Sequence, residues 1–292
     1  MDNNYRSISP TAIITALLRA ETDIPYSKEI ADLCNADNTV KEVFGIRTDG
    51  LVWMAAMLEL RYKSLSEALK KEMGQKGISQ VLELAAGLIP RGILVSENPE
   101  IRYIETDLKE MSAQKKKLGE EIDPSISKRE NYAITPLDAT DSKEVLNIGQ
   151  MFNKGKVAVI NEGLLPYLTV EEKGSVAKNI HDLLVQHGGV WITTDISNRE
   201  RMRKITELFP EAAQVNQKIQ DFTEKDMRAN GIEGGREGGL EFYRSFGFSI
   251  TEYRAFDLVN NLVSLEKISD QDLRDGLWKA LDTSRVWVLE VL

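Results

Sequence analysis

Two hydrophobic periods divide the chain. Up to residue 77 the apolar positions recur at helical spacing. Ile13, Ile14, Leu17 and Leu18 follow Ser9-Pro10, a polar N-cap with proline at the first helical position. A second helical stretch covers residues 26–34. A third runs from near Asp49 through Trp53, Met57 and Leu60 toward Leu69, with Gly74 and Gly77 ending it. From residue 78 the period changes. Short apolar runs bounded by turn residues occupy 78–84, 101–105, 132–135, 157–160 and 190–194, with helical patterns between them at 111–118, 143–152 and 170–186. Residues 198–240 are charged and helical in flavour and carry Gly231, Gly234, Gly235, Gly238 and Gly239, which reads as an inserted helical lid with flexible joints. Strand patterns return at 248–253 and 286–292, a pair suited to an antiparallel edge. The pattern predicts an α/β fold, a doubly wound and mostly parallel seven-stranded sheet covered on both faces. A helical segment, 1–77, packs on a unit, 78–292, that carries the sheet and the lid.

Composition narrows the class. An apolar share of 42% with 28% charged residues is that of an ordinary globular chain, and no apolar run approaches the roughly 18 residues that span a bilayer. The start, Met1-Asp2-Asn3-Asn4-Tyr5-Arg6, shows no basic region leading into an apolar core, and the single cysteine, Cys34, cannot close an internal disulfide. A cytoplasmic location, no membrane partner and a buried, inert Cys34 are the expectation. A net charge of −9 argues against nucleic acid, whose phosphates need a basic face. The run Lys115-Lys116-Lys117 precedes Glu120 and Glu121 and reads as a solvated helix face. Two histidines and one cysteine cannot assemble a Cys/His zinc site, so no metal centre is expected.

In open parallel sheets, ligands bind beyond the carboxyl ends of the strands. The first strand ends Glu83-Leu84-Ala85-Ala86-Gly87-Leu88-Ile89-Pro90-Arg91-Gly92, where small residues at Ala85 and Gly87 let a ligand approach the backbone. The loop lacks the Gly-x-Gly-x-x-Gly spacing that seats a pyrophosphate, which suits S-adenosyl-L-methionine better than a dinucleotide. The second strand ends Glu105-Thr106-Asp107. Asp107 lies 20 residues beyond Gly87, the position from which a carboxylate accepts both ribose hydroxyls. After the third strand, Asp138-Ala139 offers an acceptor for an adenine amino group, or else a helix cap. The fourth strand runs into Asn161-Glu162-Gly163-Leu164-Leu165-Pro166-Tyr167-Leu168, with Glu162 beside the methionine moiety.

Together these segments resemble the leucine carboxyl methyltransferase family and its bacterial relatives, the polyketide-type O-methyltransferases. The matching residues run from Ser9-Pro10-Thr11-Ala12 through Arg61, the small-residue loop, Glu105-Thr106-Asp107-Leu108, Asp138 and Glu162-Gly163-Leu164-Leu165-Pro166-Tyr167-Leu168, with an echo in Phe246-Gly247-Phe248. The resemblance implies a Rossmann-like class I methyltransferase fold. It also implies that Arg61 pairs with the cofactor carboxylate, Asp107 holds the ribose, Asp138 meets the adenine and Glu162 lines the methionine side. The product would be S-adenosyl-L-homocysteine. Relatives carry Asp-Thr before the loop arginine, where this chain has Ile89-Pro90.

The expected reaction is O-methylation of a small molecule or a chain terminus by in-line displacement. An ionised carboxylate acceptor needs no base, whereas a hydroxyl does. His181 and His187 sit in and at the end of a helix pattern and read as structural. Tyr167 and Arg199 are the substrate-side candidates, Tyr167 being the catalytic one, and Tyr167 or a lid residue such as Asp221 could supply a base. Two rivals stand beside this reading: a nicotinamide-dependent dehydrogenase, which the missing glycine spacing disfavours, and a methyltransferase-like protein that binds without turnover.

Overall fold

The computed structural model describes residues 10–45, 51–196, 199–223 and 231–292, without the side chains at 10, 43–44, 199, 216 and 219–223. The Ser9 cap and the side chains of Arg199 and Asp221 lie outside the described residues.

Four helices come first: α1 (Pro10–Arg19), α2 (Ser27–Leu33), α3 (Ala36–Phe44) and α4 (Val52–Lys76). Gly77, in the left-handed region, closes α4 by donating its N–H to the Met73 carbonyl; Gly74, expected to end the helix, lies within it. The sheet region then alternates β1 (Gln80–Leu84), α5 (Arg91–Val95), β2 (Arg102–Asp107), α6 (Lys109–Ile122), β3 (Tyr132–Pro136), α7 (Ser142–Gly149), β4 (Val157–Asn161), α8 (Val170–His187) and β5 (Gly189–Thr193). The inserted segment forms α9 (Arg199–Leu208), α10 (Glu211–Thr223) and α11 (Gly235–Arg244). The chain closes with β6 (Phe248–Arg254), α12 (Ala255–Leu258), α13 (Val263–Glu266), α14 (Gln271–Leu281) and β7 (Arg285–Val291).

The seven strands lie in the order β3-β2-β1-β4-β5-β7-β6. β1 to β5 are parallel, and β7 runs antiparallel between β5 and β6, giving the expected antiparallel edge. The winding reverses between β1 and β4, which sets the ligand edge at their carboxyl ends.

Central strands buried on both faces read as continuous apolar runs because helices cover each side. On one face α4 packs Leu65, Ala68 and Leu69 against Val81, Tyr103, Ala158, Ile160 and Val190. On the other, α7, α8 and α11 cover Leu82, Ile104, Val159 and Trp191. A third, all-helical core joins the N-terminal helices to α9, α10, α13 and α14 through Trp53, Leu58, Ile205, Phe209, Leu265 and Leu277. The segment expected as a lid therefore shares a core with the N-terminal helices. Among the described residues no helix is long and apolar enough to cross a membrane.

Two readings of local chemistry change. Lys115 is not on a solvated face: its amino group is buried and donates to Glu105 at 2.7 Å. Gly239, read as a joint, is a packing site within α11, since a Cβ there would stand 2.8 Å from Ile196 Cγ2. Gly239→Val should cost about 1–3 kcal/mol through overpacking, measured as a lower urea midpoint at unchanged slope. An unchanged midpoint would mean that α11 does not rest on Ile196.

Candidate functional site

A chain of buried charges lies at the carboxyl ends of β1 and β4. Glu83, at the penultimate position of β1, has a side chain shut off from solvent, with its oxygens bonded to the Arg91 guanidinium and to the Tyr103 hydroxyl, the latter at 2.7 Å. Arg91 opens α5 and also donates Nη2 to Glu162 Oε2 at 2.7 Å and Nε to Ser66 Oγ at 3.0 Å, with its guanidinium 4.6 Å from the centre of the Tyr62 ring. The other oxygen of Glu162 accepts from Arg19 Nη2 and Arg61 Nη2, each at 3.3 Å. One carboxylate thus gathers arginines from α1, α4 and α5. Despite burial, these three positive charges hold the Glu162 carboxyl down at about 2, and its hydrogen bond from Arg91 adds to the effect. Arg91, between two carboxylates, stays charged. For Arg19 burial outweighs Glu162 and lowers the guanidinium from its usual range.

The loop after β1 turns sharply. Ala85 and Gly87 both adopt positive φ, +50° and +49°, so Ala85 occupies a conformation that favours glycine. The Ala86 N–H donates to the Thr106 carbonyl at 2.9 Å. A Cβ built on Gly87 meets nothing within 4 Å, so the loop leaves open space at that point. Asp107 ties the loop to β2: its Oδ2 accepts the Gly87 N–H and its Oδ1 the Leu108 N–H, both at 2.8 Å. Each oxygen has a second lone pair. Burial raises the Asp107 carboxyl, and these two backbone donors oppose the rise. Asp107 does not cap α6, whose N-cap is Leu108 with no side-chain bond. Leu108 stands 60% exposed beside it, an apolar side chain at the open edge of the sheet.

Glu105, in register with Glu83, is buried beneath this loop. It accepts from Lys115, from the Gly92 N–H at 3.2 Å and from the Tyr132 hydroxyl. A Cβ on Gly92 would lie 2.5 Å from its Oε1, which explains the small residue there. Asp138 is exposed and fixed by a turn in which Oδ1 accepts the Thr140 N–H at 2.9 Å and its hydroxyl at 2.7 Å. The alternative of a cap falls to Asp141, which caps α7. Ala139 is buried, and its carbonyl accepts from Asn179 at 3.0 Å.

Asp195, just past β5, shapes the loop after β4. Its Oδ2 accepts the Asn161 amide and the backbone N–H groups of Gly163, Leu164 and Leu165 at 2.8–3.2 Å. Glu162 is thereby held at the strand end facing the arginines. Tyr167 follows, half-buried, hydrogen-bonded to Thr11 of α1; burial raises its hydroxyl and Arg61 opposes the rise.

Arg61, Ala85, Gly87, Asp107, Asp138 and Glu162 thus sit along one edge, while Glu83, Glu105 and Ala139 are internal and brace it. Arg19, Arg91 and Asp195 were not singled out from sequence. The strand-end rule, applied to the fifth strand, reaches Asp195; Arg19 has no local signal, because its partner is 143 residues away. Ile89, which departs from the family pattern, packs against Ile24 and Tyr62, and its carbonyl accepts from Lys115 Nζ at 2.7 Å. It serves as scaffold.

Because the Glu162 carboxyl is held at about 2 against an ordinary 4.5, the stability it contributes is complete above pH 4.5 and is lost as pH falls toward 2. Glu162→Gln should cost about 3–5 kcal/mol at neutral pH, since Arg19 and Arg61 lose their counter-charge and Arg91 loses one of its two. It should also flatten the acid loss of stability between pH 4.5 and 2, followed by urea midpoints at stepped pH. Equal acid slopes in the two proteins would place the titrating group elsewhere.

A model of the leucine carboxyl methyltransferase family matches residues 13–181, more than half of the chain. No curated protein matches it. Among solved structures, a DUF574 family protein from Streptomyces avermitilis is similar over 96% of each chain, with a TM-score of 0.57 and 14% identity. A methyltransferase candidate from Thermobifida fusca is similar over 95% of this chain and 94% of that one, with a TM-score of 0.55 and 17% identity. At such identities the likeness establishes the Rossmann-like class I methyltransferase fold. With that sheet, the loop after β1, Asp107 and the Glu162 segment in place, the chain belongs to the leucine carboxyl methyltransferase family.

Proposed function

We propose that the protein transfers a methyl group from S-adenosylmethionine to an oxygen of a small molecule or a chain terminus, more readily a carboxylate than a hydroxyl. The observation that carries this reading is the convergence of Arg19, Arg61 and Arg91 on one carboxylate beside the open loop at Gly87. Buried Nε atoms of Arg19 and Arg61 have no hydrogen-bond partner among the described residues. Unbonded buried donors of this kind fit a ligand carboxylate.

The residues suit the cofactor as a whole. Arg61, with Arg19 behind it, would take its carboxylate, and Asp107 has lone pairs for ribose hydroxyls. Asp138 and the exposed Leu108 frame the adenine end, and the Gly87 loop gives the room. When bound, adenosylmethionine would supply an activated methyl group for in-line transfer to the acceptor oxygen, with S-adenosylhomocysteine as the product.

The remaining work is positioning, which can contribute up to roughly 7–11 kcal/mol. Asp195 fixes the Gly163–Leu165 backbone so that the loop after β4 forms one wall. Tyr167, bonded to Thr11 with its hydroxyl raised, is suited to orient an acceptor rather than to remove a proton. Neither histidine faces this edge: His181 packs on the Phe248 ring and His187 on Phe152. With no histidine base, an acceptor already ionised at neutral pH is the better fit.

Calorimetry should show adenosylmethionine and adenosylhomocysteine binding in the micromolar range, with NAD silent; NAD binding alone would contradict the reading. Asp107→Ala should weaken adenosylhomocysteine by about 1.5–3 kcal/mol and, because Gly87 and Leu108 lose their acceptor, lower stability by about 1–3 kcal/mol. A variant that melts early yet binds normally assigns Asp107 to the scaffold alone. Transfer from labelled cofactor to carboxylic acids, phenols and thiols, then mild base, identifies the acceptor: methyl esters release methanol, and label that survives base rules out a carboxylate.

A further inference from the structure

Four guanidinium groups, of Arg19, Arg61, Arg91 and Arg201, are buried or nearly so around the carboxyl ends of β4 and β5, against three carboxylates, Glu83, Glu162 and Asp195. Among the described residues the pairing leaves one cation over. Arg91 lies between Glu83 and Glu162, and Arg19 with Arg61 takes the remaining oxygen of Glu162. Asp195 spends its acceptor capacity on the Asn161 amide and three backbone N–H groups.

Arg201, in the first turns of α9, is 4% exposed. Its Nη1 donates to Ser284 Oγ at 3.2 Å; among the described residues its Nε has no partner and no carboxylate comes within ion-pair distance. It lies close enough to Arg61 and Asp195 to feel both charges. Burial brings the guanidinium down to about 10, with Arg61 pushing the same way and Asp195 opposing. Packing alone does not account for it, because an apolar side chain of similar length would fill the volume without desolvating a charge. The cofactor does not supply the missing negative charge either: its carboxylate comes with a sulfonium and an ammonium, a net positive charge. Buried cations that lack a counter-charge in the free protein mark sites where an anionic ligand completes the set.

We propose that Arg201 is the residue that selects the methyl acceptor, its planar fork pairing with an oxyanion of that acceptor, a carboxylate or a phosphate, at the carboxyl ends of β4 and β5. The proposal rests on the transferase reading above and adds a charge requirement to it: the acceptor is an anion, and α9 of the inserted segment recognises it.

The test uses the full chain saturated with adenosylhomocysteine, at constant ionic strength. Straight-chain monocarboxylates from acetate to octanoate, inorganic phosphate and the matching primary amides are titrated at millimolar concentrations, with thermal shift and calorimetry as readouts. At least one anion should bind and every amide should fail; carboxylate or phosphate success tells which oxyanion is used. Arg201→Met should weaken that anion tenfold or more, Arg201→Lys should restore part of the loss, and adenosylhomocysteine affinity should stay within about twofold in both. In the absence of anion, Arg201→Met should raise Tm by about 2 °C or more, because an unpaired buried charge is removed. A structural arginine would instead give a lower Tm. The proposal is overturned if no anion binds, if amides bind as well, if the Met variant keeps anion affinity, or if adenosylhomocysteine weakens with Arg201. Loss of adenosylhomocysteine binding by the parent protein itself would refute the transferase reading instead.

Discussion

Glu162 is the point on which the site depends. Its two oxygens receive guanidinium groups from α1, α4 and α5, so one carboxylate at the end of β4 fixes the N-terminal helices and the loop after β1 against the sheet. Desolvating so many charges is expensive, and replacing such a cluster with apolar residues is often neutral or stabilising. Its retention is understandable at an edge where ligand charges must be met by fixed groups. Arg91 extends the network to Glu83 and Tyr103 beneath the loop, and Asp195 sets the backbone that presents Glu162. Remove the carboxylate and three positive charges repel one another in a buried space.

The sheet was legible because its strands are buried on both faces, so the apolar runs at β1, β4 and β5 stand out against helical periods on either side. In the late antiparallel pair, β7 is buried through its middle, whereas β6 at the edge is mostly half-buried or exposed and was legible from its position beside turn residues rather than from burial. What the pattern missed is helical and depends on tertiary partners. α3 and α14 are short, so each shows only a few apolar positions, which pack against α1 for α3 and against α9 and α4 for α14. Lys115 breaks a polar stripe from within, since only the fold shows Glu105 waiting below. The glycines of α11 look like joints in sequence; Gly239 is there because Ile196 presses on the helix.

The site divides along the same line. Residues at strand ends, Asp107, Asp138 and Glu162, could be named as candidates because the edge of a parallel sheet is where ligands bind. Alternation along β1 and β2 buries Glu83 and Glu105 beneath the same loop, bracing groups that a strand-end reading cannot separate from ligand-facing ones. Arg19 and Arg201 carry no local signature at all. Each is an arginine on an ordinary helix whose meaning comes from distant chain segments meeting at β4 and β5. Resemblance supplied Arg61, which spacing could not.

The central claim is that the edge formed by the Gly87 loop, Asp107 and the arginines around Glu162 is a cofactor site built for adenosylmethionine. A crystal structure of the protein with adenosylhomocysteine tests it most directly. The account predicts the ligand carboxylate on Arg61 with Arg19 adjacent, the ribose hydroxyls on Asp107 and the adenine between Leu108 and Asp138, with the Glu162–Arg91–Glu83 network unmoved. Adenosylhomocysteine bound elsewhere, or bound here with Asp107 and Arg61 both without contact to it, would contradict the account.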